Sequence, residues 1–223
     1  MISLTIVCAL ACAVLLIAEW RGTVVVRRLA KLVASSAFVG VGVLALRGDS
    51  DGDPGRVWLA YAIVVGLGLG ALGDVCVAMP GKRWFLAGLV AFLLGHLAYV
   101  VGIARVEPVH RWLGDAGWLA ALPIGAAVAV LVALLRRLGA LRAPVIAYVA
   151  TITLMMVAAI AAGRCAPLPA LARSRLVVGA SAFFVSDLAV ARERFATRSL
   201  ANKLFGLPAY YAGQLLIAWS IAA

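Results

Sequence analysis

Two aspartates stand at the ends of stretches that are otherwise apolar. Asp74 closes the glycine-rich run GLGLGALGD, and Asp187 closes the run GASAFFVSD. Two neighbouring carboxylates in a low-dielectric setting cannot both ionise easily, so one tends to keep a proton and the other its charge. Such a pair could serve as general acid and general base, as in glycosidases. The alternative is that each aspartate pairs locally near a helix end, Asp187 with Arg192 or Arg194 for instance.

Four more polar side chains occur in apolar surroundings at helical spacing. His96 and Tyr99 are three residues apart, and Tyr210 and Gln214 are four apart, so each pair shares one face of a helix. His96 could move a proton, donate a hydrogen bond to a substrate or simply pack, and Tyr99 on the same face could contact a substrate or simply pack. Gln214 could bond between helices or contact a substrate. Polar and ionisable groups inside a bilayer are costly and therefore candidates for function.

The composition sets the protein class. Of the 223 residues, 65% are apolar, and the mean hydropathy is +1.10, whereas soluble domains contain about 45–50% apolar residues. We therefore expect a polytopic membrane protein with one transmembrane domain over 1–223. The first apolar run lacks the features of a cleaved signal peptide. The net charge of +11 does not indicate a nucleic-acid partner, because the basic residues are scattered over short loops.

Apolar windows of about 20 residues are long enough to cross a bilayer. They predict an all-α bundle of eight transmembrane helices, over 2–18, 29–46, 57–79, 84–104, 117–135, 143–163, 172–191 and 204–222. A Gly-, Asp- and Pro-rich stretch after Arg47 predicts a solvated loop. Its alternating Asp49, Asp51 and Asp53 resemble calcium ligands, but no glutamate follows at the spacing of an EF-hand.

The order of the polar residues also suggests two parallel repeats of four helices. One helix ends in Gly73-Asp74 and the next carries Gly95-His96. A later helix ends in Ser186-Asp187 and the last carries Gly213-Gln214. Parallel internal repeats are a known membrane architecture.

Cation distribution predicts the orientation in the membrane. Most Lys and Arg residues follow the first, third, fifth and seventh predicted helices, namely Arg21, Arg27, Arg28, Lys31, Lys82, Arg83, Arg136, Arg137, Arg142, Arg192, Arg194, Arg198 and Lys203. The positive-inside rule then places these loops in the cytoplasm and both termini outside, in a bacterial inner or plasma membrane. Arg164, Arg173 and Arg175 oppose this orientation.

In this arrangement several polar residues fall at one depth. Asp74 and Asp187 lie near the cytoplasmic ends of their helices. Lys31, Tyr148 and Tyr210 lie at a similar depth, and His96 and Gln214 lie nearer the midplane. We therefore predict one internal polar site toward the cytoplasmic leaflet. The sequence contains no GxSxG, HExxH, P-loop or Rossmann signature, and two histidines with no CxxC predict neither a metal nor another cofactor.

Four segments resemble the YhhN-type lysoplasmalogenase family of eight-helix membrane proteins. They are the Gly73-Asp74 helix end, the FLAGLVAFLLGHLAY helix, the GASAFFVSD segment and the Tyr210-Tyr211-Ala212-Gly213-Gln214 run. Weaker likenesses lie at Lys31, where Leu32 and Ser35 stand near the family's proline and threonine, and at Tyr148. The family's Ala-Gln is Gly213-Gln214 in this chain.

The resemblance implies hydrolysis of the vinyl-ether bond of lysoplasmalogens, giving a fatty aldehyde and a glycerophospho-head group, with a membrane lysophospholipid as substrate. It implies Asp74 and Asp187 as catalytic residues. The candidate substrate-binding residues are Lys31, His96, Tyr99, Tyr148, Ser186, Tyr210 and Gln214. We expect the head group near Lys82, Arg83 or Lys203. The alternatives are a proton-coupled transporter or lipid-handling protein that uses the same Asp and His residues, and a purely structural subunit.

Overall fold

The computed structural model describes residues 1–48, 53–197 and 199–222, and within these ranges the chain is helical and contains no strand. The all-α prediction is therefore confirmed. The helices are α1 (Ile2–Arg21), α2 (Val24–Gly48), α3 (Pro54–Ala78), α4 (Lys82–Ile103), α5 (Trp112–Ala116), α6 (Ala121–Leu134), α7 (Arg142–Cys165), α8 (Ala170–Phe195) and α9 (Leu200–Trp219). Short 3-10 turns flank α5 and α6.

Seven segments within the described ranges are long and apolar enough to cross a membrane, which makes the chain a multi-pass integral membrane protein. They are α1 to α4, the segment Val109–Arg137 that contains α5 and α6, the segment Gly139–Cys165 that contains α7, and α8. The last predicted span is present as the 20-residue helix α9, but it is not among these seven. Polar side chains lower its hydropathy, and three of them (Asn202, Tyr210 and Gln214) are buried inside the bundle.

The predicted helix over 117–135 differs from the structure. The chain forms the short helix α5, turns at Gly117, which has φ 59°, and then continues through a 3-10 turn into α6. Gly117 ends the first helix because glycine adopts positive φ without steric cost. With 14 residues, α6 is only about 21 Å long, so the flanking turns must complete the crossing.

Local sequence sets the ends of the helices that hold the site. The Asp53 side chain accepts a hydrogen bond from the Gly55 amide at 2.8 Å, and Pro54 occupies the first turn, which starts α3. The turn between α3 and α4 passes through Gly81 at φ 108°.

Asp49 and Asp51 of the predicted solvated loop, and Arg198 of the predicted cytoplasmic cations, lie outside the described residues.

Glycines let two helix pairs approach until their backbones touch. A Cβ on Gly95 of α4 would lie 3.1 Å from the Gly66 carbonyl oxygen of α3. A Cβ on Gly213 of α9 would lie 2.8 Å from the Gly179 carbonyl oxygen of α8. Small residues at such crossings favour close helix packing in membranes. Asp74 belongs to the α3–α4 pair and Asp187 to the α8–α9 pair, while the internal repeat stays a prediction.

Candidate active site

The Asp74 carboxylate on α3 has a donor on each oxygen. Lys31 Nζ lies 2.8 Å from Oδ1, and the Ser35 hydroxyl donates to Oδ2 at 2.7 Å. Lys31 and Ser35 are four residues apart, so both project from one face of α2. Asp74 is only 3% exposed. An ammonium and a hydroxyl on a buried carboxylate stabilise its charged form, so this environment suits an ionised aspartate.

The Asp187 carboxyl group on α8 has a different environment. The Tyr148 hydroxyl from α7 donates to Oδ2 at 2.8 Å, and His96 Nε2 from α4 lies 3.7 Å from the same oxygen. These partners come from other helices and not from the next turn of α8. The Arg194 guanidinium, a predicted alternative partner, lies over the Phe85 ring at 4.2 Å. Asp187 is thus part of a contact between three helices.

His96 links the Asp187 group to α4. The His96 side chain is 1% exposed, and its Nδ1 lies 2.7 Å from the Phe92 carbonyl oxygen, so Nδ1 carries a proton and donates. In a neutral imidazole Nε2 would then be a bare acceptor facing the carboxyl oxygen. One proton on either partner turns this repulsion into attraction. The separation of 3.7 Å is longer than a hydrogen bond, and Nε2 has no hydrogen-bond partner among the described residues, so a proton added at this point would join His96 to Asp187.

A second buried set of hydrogen bonds crosses the bundle. The Tyr99 hydroxyl donates to Gln214 Oε1 at 2.7 Å, and Gln214 Nε2 donates to the Tyr210 hydroxyl at 3.3 Å. The Tyr210 hydroxyl in turn lies 3.4 Å from the Gly70 carbonyl oxygen, to which it donates. Gly70 has to be glycine for this contact, because a Cβ there would lie 2.6 Å from Gln214 Nε2. Tyr99 and Gln214 therefore hold Tyr210 in place.

Both aspartates line one cavity of about 530 Å³. Its inner wall is apolar and includes Phe85, Leu89, Phe92, Val149, Ile152 and Phe184. Charged residues also line it, namely Glu19, Arg27, Lys31, Glu193, Arg194 and Lys203. Such a cavity has one region for a polar group and another for an apolar chain.

The charged part of the cavity is tied together by ion pairs. Glu19 Oε2 of α1 lies 2.7 Å from Lys203 Nζ of α9 and 3.5 Å from Arg27 Nη1 of α2. Of the cations expected near a head group, Lys203 lines the cavity, whereas Lys82 and Arg83 are not among the lining residues. The first two residues of α4 therefore do not contribute to this wall.

The predicted site residues take three kinds of position. Lys31, Tyr148 and Tyr210 line the cavity with the two aspartates. His96, Tyr99 and Gln214 are buried beside these residues and do not line the cavity. Ser186 lines the cavity, but its hydroxyl donates to the Gly206 carbonyl oxygen at 2.8 Å and so joins α8 to α9.

Three residues near the aspartates carry no signal strong enough to single them out in the sequence. Ser35 follows Lys31 by one helical turn, and this spacing and its place near the family's threonine are the pointers to its bond with Asp74. Phe183 packs between the His96 ring, at a centroid distance of 4.6 Å, and the Tyr210 ring, at 5.1 Å. Glu19 lies 184 positions from Lys203, so only the fold reveals their ion pair.

The YhhN family model matches residues 29–221 of this chain. The chain belongs to the YhhN family. The match spans α2 to α9 and therefore includes both aspartates and each of their partners. Searches of curated proteins and of solved structures found no significant match. The match therefore identifies the chain as a membrane protein of this family, and the side chains of the site indicate its chemistry.

Proposed function

We propose that this YhhN protein hydrolyses the vinyl-ether bond of lysoplasmalogens to a fatty aldehyde and a glycerophospho-head group. One observation carries the proposal: two carboxyl groups line the same cavity, and one of them is paired with an ammonium group whereas the other is not. Asp74 has the Lys31 ammonium and the Ser35 hydroxyl on its oxygens. Asp187 accepts a hydrogen bond from Tyr148 and faces the buried Nε2 of His96. This is the pairing of base and acid that vinyl-ether hydrolysis needs.

The shape of the cavity supports a single-chain amphiphile as substrate. An apolar wall of aromatic and branched side chains can bind an alkenyl chain. Cations of the charged part, Arg27 and Lys203, can attract a phosphate, while Glu19 and Glu193 provide negative charge for an ammonium group. The aspartates lie on the wall of the same cavity, so a chain and a head group bound there would place the ether linkage near them.

In the proposed first step, the Asp187 carboxyl gives its proton to the alkene carbon that is not bonded to oxygen. The double-bond electrons form the new C–H bond and leave an oxocarbenium ion at the other carbon. Asp187 becomes a carboxylate and takes up a proton from water at the end of the cycle. The Tyr148 hydroxyl donates to the same carboxyl group and stabilises its charge once the proton has left.

In the second step, water adds to the oxocarbenium carbon and gives up a proton. Asp74 accepts that proton, because Lys31 and Ser35 hold its carboxylate in the charged form. The product is a hemiacetal. It collapses to the aldehyde and the glycerol hydroxyl when a proton moves from the hemiacetal OH to the leaving oxygen. No covalent enzyme intermediate is needed. Asp74 releases its proton to water and Asp187 takes one up from water, so atoms and charges balance over the cycle.

The test measures aldehyde release from a lysoplasmalogen by the purified protein in detergent. We expect Asp74→Asn and Asp187→Asn each to lower the rate by about 10²-fold or more, the usual loss when a general acid or base is removed. Asp115→Asn is a matched control, because Asp115 pairs with Arg111 at 3.1 Å and does not line the cavity. Turnover like that of the wild type in both aspartate variants would refute the proposal.

The alternative of a proton-coupled transporter has one specific observation in its favour. The buried His96 ring lies with Nε2 3.7 Å from the Asp187 carboxyl, and a proton relay could use the same two groups. The two functions differ in what happens to the lipid. An enzyme converts the lysoplasmalogen to aldehyde, whereas a transporter reconstituted in vesicles moves it intact and responds to a pH gradient.

A further inference from the structure

A second cavity continues the candidate active site along α8. It has a volume of about 740 Å³ and lies between α6, α7 and α8. Phe184 and Leu188 line both cavities. On α6 the linings adjoin at Ala126 and Ala127, and on α7 they are one turn apart at Met156 and Ile152. We call this second cavity the distal groove.

The distal groove is apolar along its length and polar at its far end. Its walls include Ile160, Val177 and Val185. The hydroxyl of Ser181 in its middle is directed to the Val177 carbonyl oxygen at 2.8 Å. At the end remote from Asp187 stand Arg164 and Arg173, joined by a bond from Arg173 Nη1 to the Arg164 carbonyl oxygen at 3.3 Å. An apolar chain is therefore favoured up to these arginines and disfavoured beyond them.

The groove is open to the bilayer on one side. Val178 and Val185 on α8 are 55% and 54% exposed, and Leu122 on α6 is 63% exposed, although all three line the groove. A chain in the groove would be covered by protein on one side and by lipid on the other. It could enter sideways from the membrane without passing through the charged part of the active-site cavity.

The length of the groove matches that of a common lipid chain. Asp187 and Arg173 are 14 residues apart on α8, which is about 21 Å along the helix axis. Each carbon–carbon bond of about 1.5 Å advances an extended chain by roughly 1.25 Å. A chain that starts with its vinyl ether at Asp187 would therefore reach the arginines after roughly 16 carbons.

We propose that the distal groove binds the outer half of the substrate's alkyl chain and sets the preferred chain length at about 16 carbons. This inference rests on the proposed function, since it takes the vinyl ether to lie at Asp187. Three features favour the alkyl chain as the occupant of the groove. They are the wall shared with the active-site cavity at Phe184 and Leu188, the matching length, and the polar end at Arg164 and Arg173.

The test fills the groove in its middle. Ser181→Trp adds a large side chain about 9 Å from Asp187 along α8, which corresponds to roughly seven carbons. The control is Val101→Trp on α4, because Val101 is 54% exposed and lines neither cavity. Both variants are purified in detergent, and their thermal unfolding is compared with that of the wild type.

Two readouts use lipids of 6 to 18 carbons at a fixed mole fraction in mixed micelles. One is aldehyde release from lysoplasmalogens. The other is binding of 1-alkyl lysophospholipids, which lack the double bond, by competition with a fluorescent lysolipid. We expect Ser181→Trp to lower binding and turnover of the 16-carbon lipid by at least about tenfold, because the added side chain displaces the outer carbons. Six-carbon lipids, which end before Ser181, and the Val101→Trp protein should stay within about twofold of the wild type.

The two proposals can fail separately. If the wild type releases no aldehyde but its binding shows the same dependence on chain length, the chemistry is refuted and the role of the groove is supported. If Ser181→Trp affects all chain lengths equally, or none, the groove does not bind the substrate chain. That result would also be expected if a bilayer phospholipid filled the groove with its phosphate on Arg164 and Arg173.

Discussion

The contact between Lys31 and Asp74 allows the sharpest test of how the site is held together. The two side chains are 15% and 4% exposed, and the ion pair measures 2.8 Å. Breaking a buried pair by removing one partner costs about 3–5 kcal/mol, because the other charge stays buried and uncompensated. Removing both partners together leaves no such charge. The stability of the double variant therefore reveals whether the two groups really depend on each other.

The magnitudes follow from the neighbours of each group. We expect Lys31→Met to cost about 3 kcal/mol, because it removes the ammonium group from the buried Asp74 carboxylate. Asp74→Asn should cost about 2 kcal/mol, since Lys31 lies on the cavity wall and can turn toward solvent. The double variant should cost about 2 kcal/mol instead of the roughly 5 kcal/mol expected for independent effects, a coupling of about 3 kcal/mol.

The assay is SDS-induced unfolding in mixed micelles, followed by circular dichroism and by the fluorescence of the six tryptophans. The control cycle combines Arg111→Met with Asp115→Asn. The Arg111 side chain is 52% exposed, so solvent screens that pair and its coupling should stay below about 1 kcal/mol. If the Lys31 and Asp74 effects add within about 0.5 kcal/mol, the carboxylate is not held by the ammonium, and the assignment of Asp74 as an ionised base is refuted.

Two further predictions concern positions outside this pair. Burial raises the pKa of Glu107 above its ordinary value of 4.5, the nearby Asp115 carboxyl adds to the rise, and Arg111 and His110 oppose it. The folded protein thus binds this proton more tightly than the unfolded chain, and stability falls as pH rises above about 4.5 through the folded pKa. Glu107→Gln should therefore flatten the dependence of the thermal-unfolding midpoint on pH over that range, and an unchanged slope would contradict this. Gly213→Ala should destabilise the fold by about 1–3 kcal/mol through overpacking, because the added Cβ would lie 2.8 Å from a carbonyl oxygen of α8. In the control Gly68→Ala the added Cβ meets nothing within 4 Å, and equal unfolding midpoints for the two variants would contradict the prediction.

The helical plan could be predicted from hydropathy, and the point where it failed has a local cause. An apolar window reports that a segment prefers the bilayer, but it does not report a backbone break inside that segment. Gly117, with φ 59°, is such a break between α5 and the following 3-10 turn, so α6 begins at Ala121, four residues after the start of the predicted helix over 117–135. In α9 hydropathy understates how well a helix fits the bundle. Buried Gln214 lowers the hydropathy of this helix, although the helix packs inside the bundle.

The sequence could predict that the site residues lie at a similar level along their helices, but not which of them contact one another. Counting residues along antiparallel helices placed Lys31 and Asp74 at one level, and they are in contact in the structure. The rotation of each helix decides which side chains meet, and it depends on packing that the sequence does not display. Tyr99 shares a helix face with His96, yet it bonds to Gln214, while His96 faces Asp187. Spacing alone could not separate these two roles.

The hydrogen bonds from Tyr99 through Gln214 to Tyr210 also affect how water reaches the site. Tyr99 and Gln214 are 2% and 0% exposed, and their polar atoms already bond to each other and to Tyr210. This layer therefore presents few free groups that could conduct a file of water molecules from the far side of the bundle. In the proposed reaction, the water that is consumed would then arrive through the charged part of the cavity, near Glu19 and Lys203. Because a bound head group would cover that entrance, hydration of the site should precede lipid binding in each turnover.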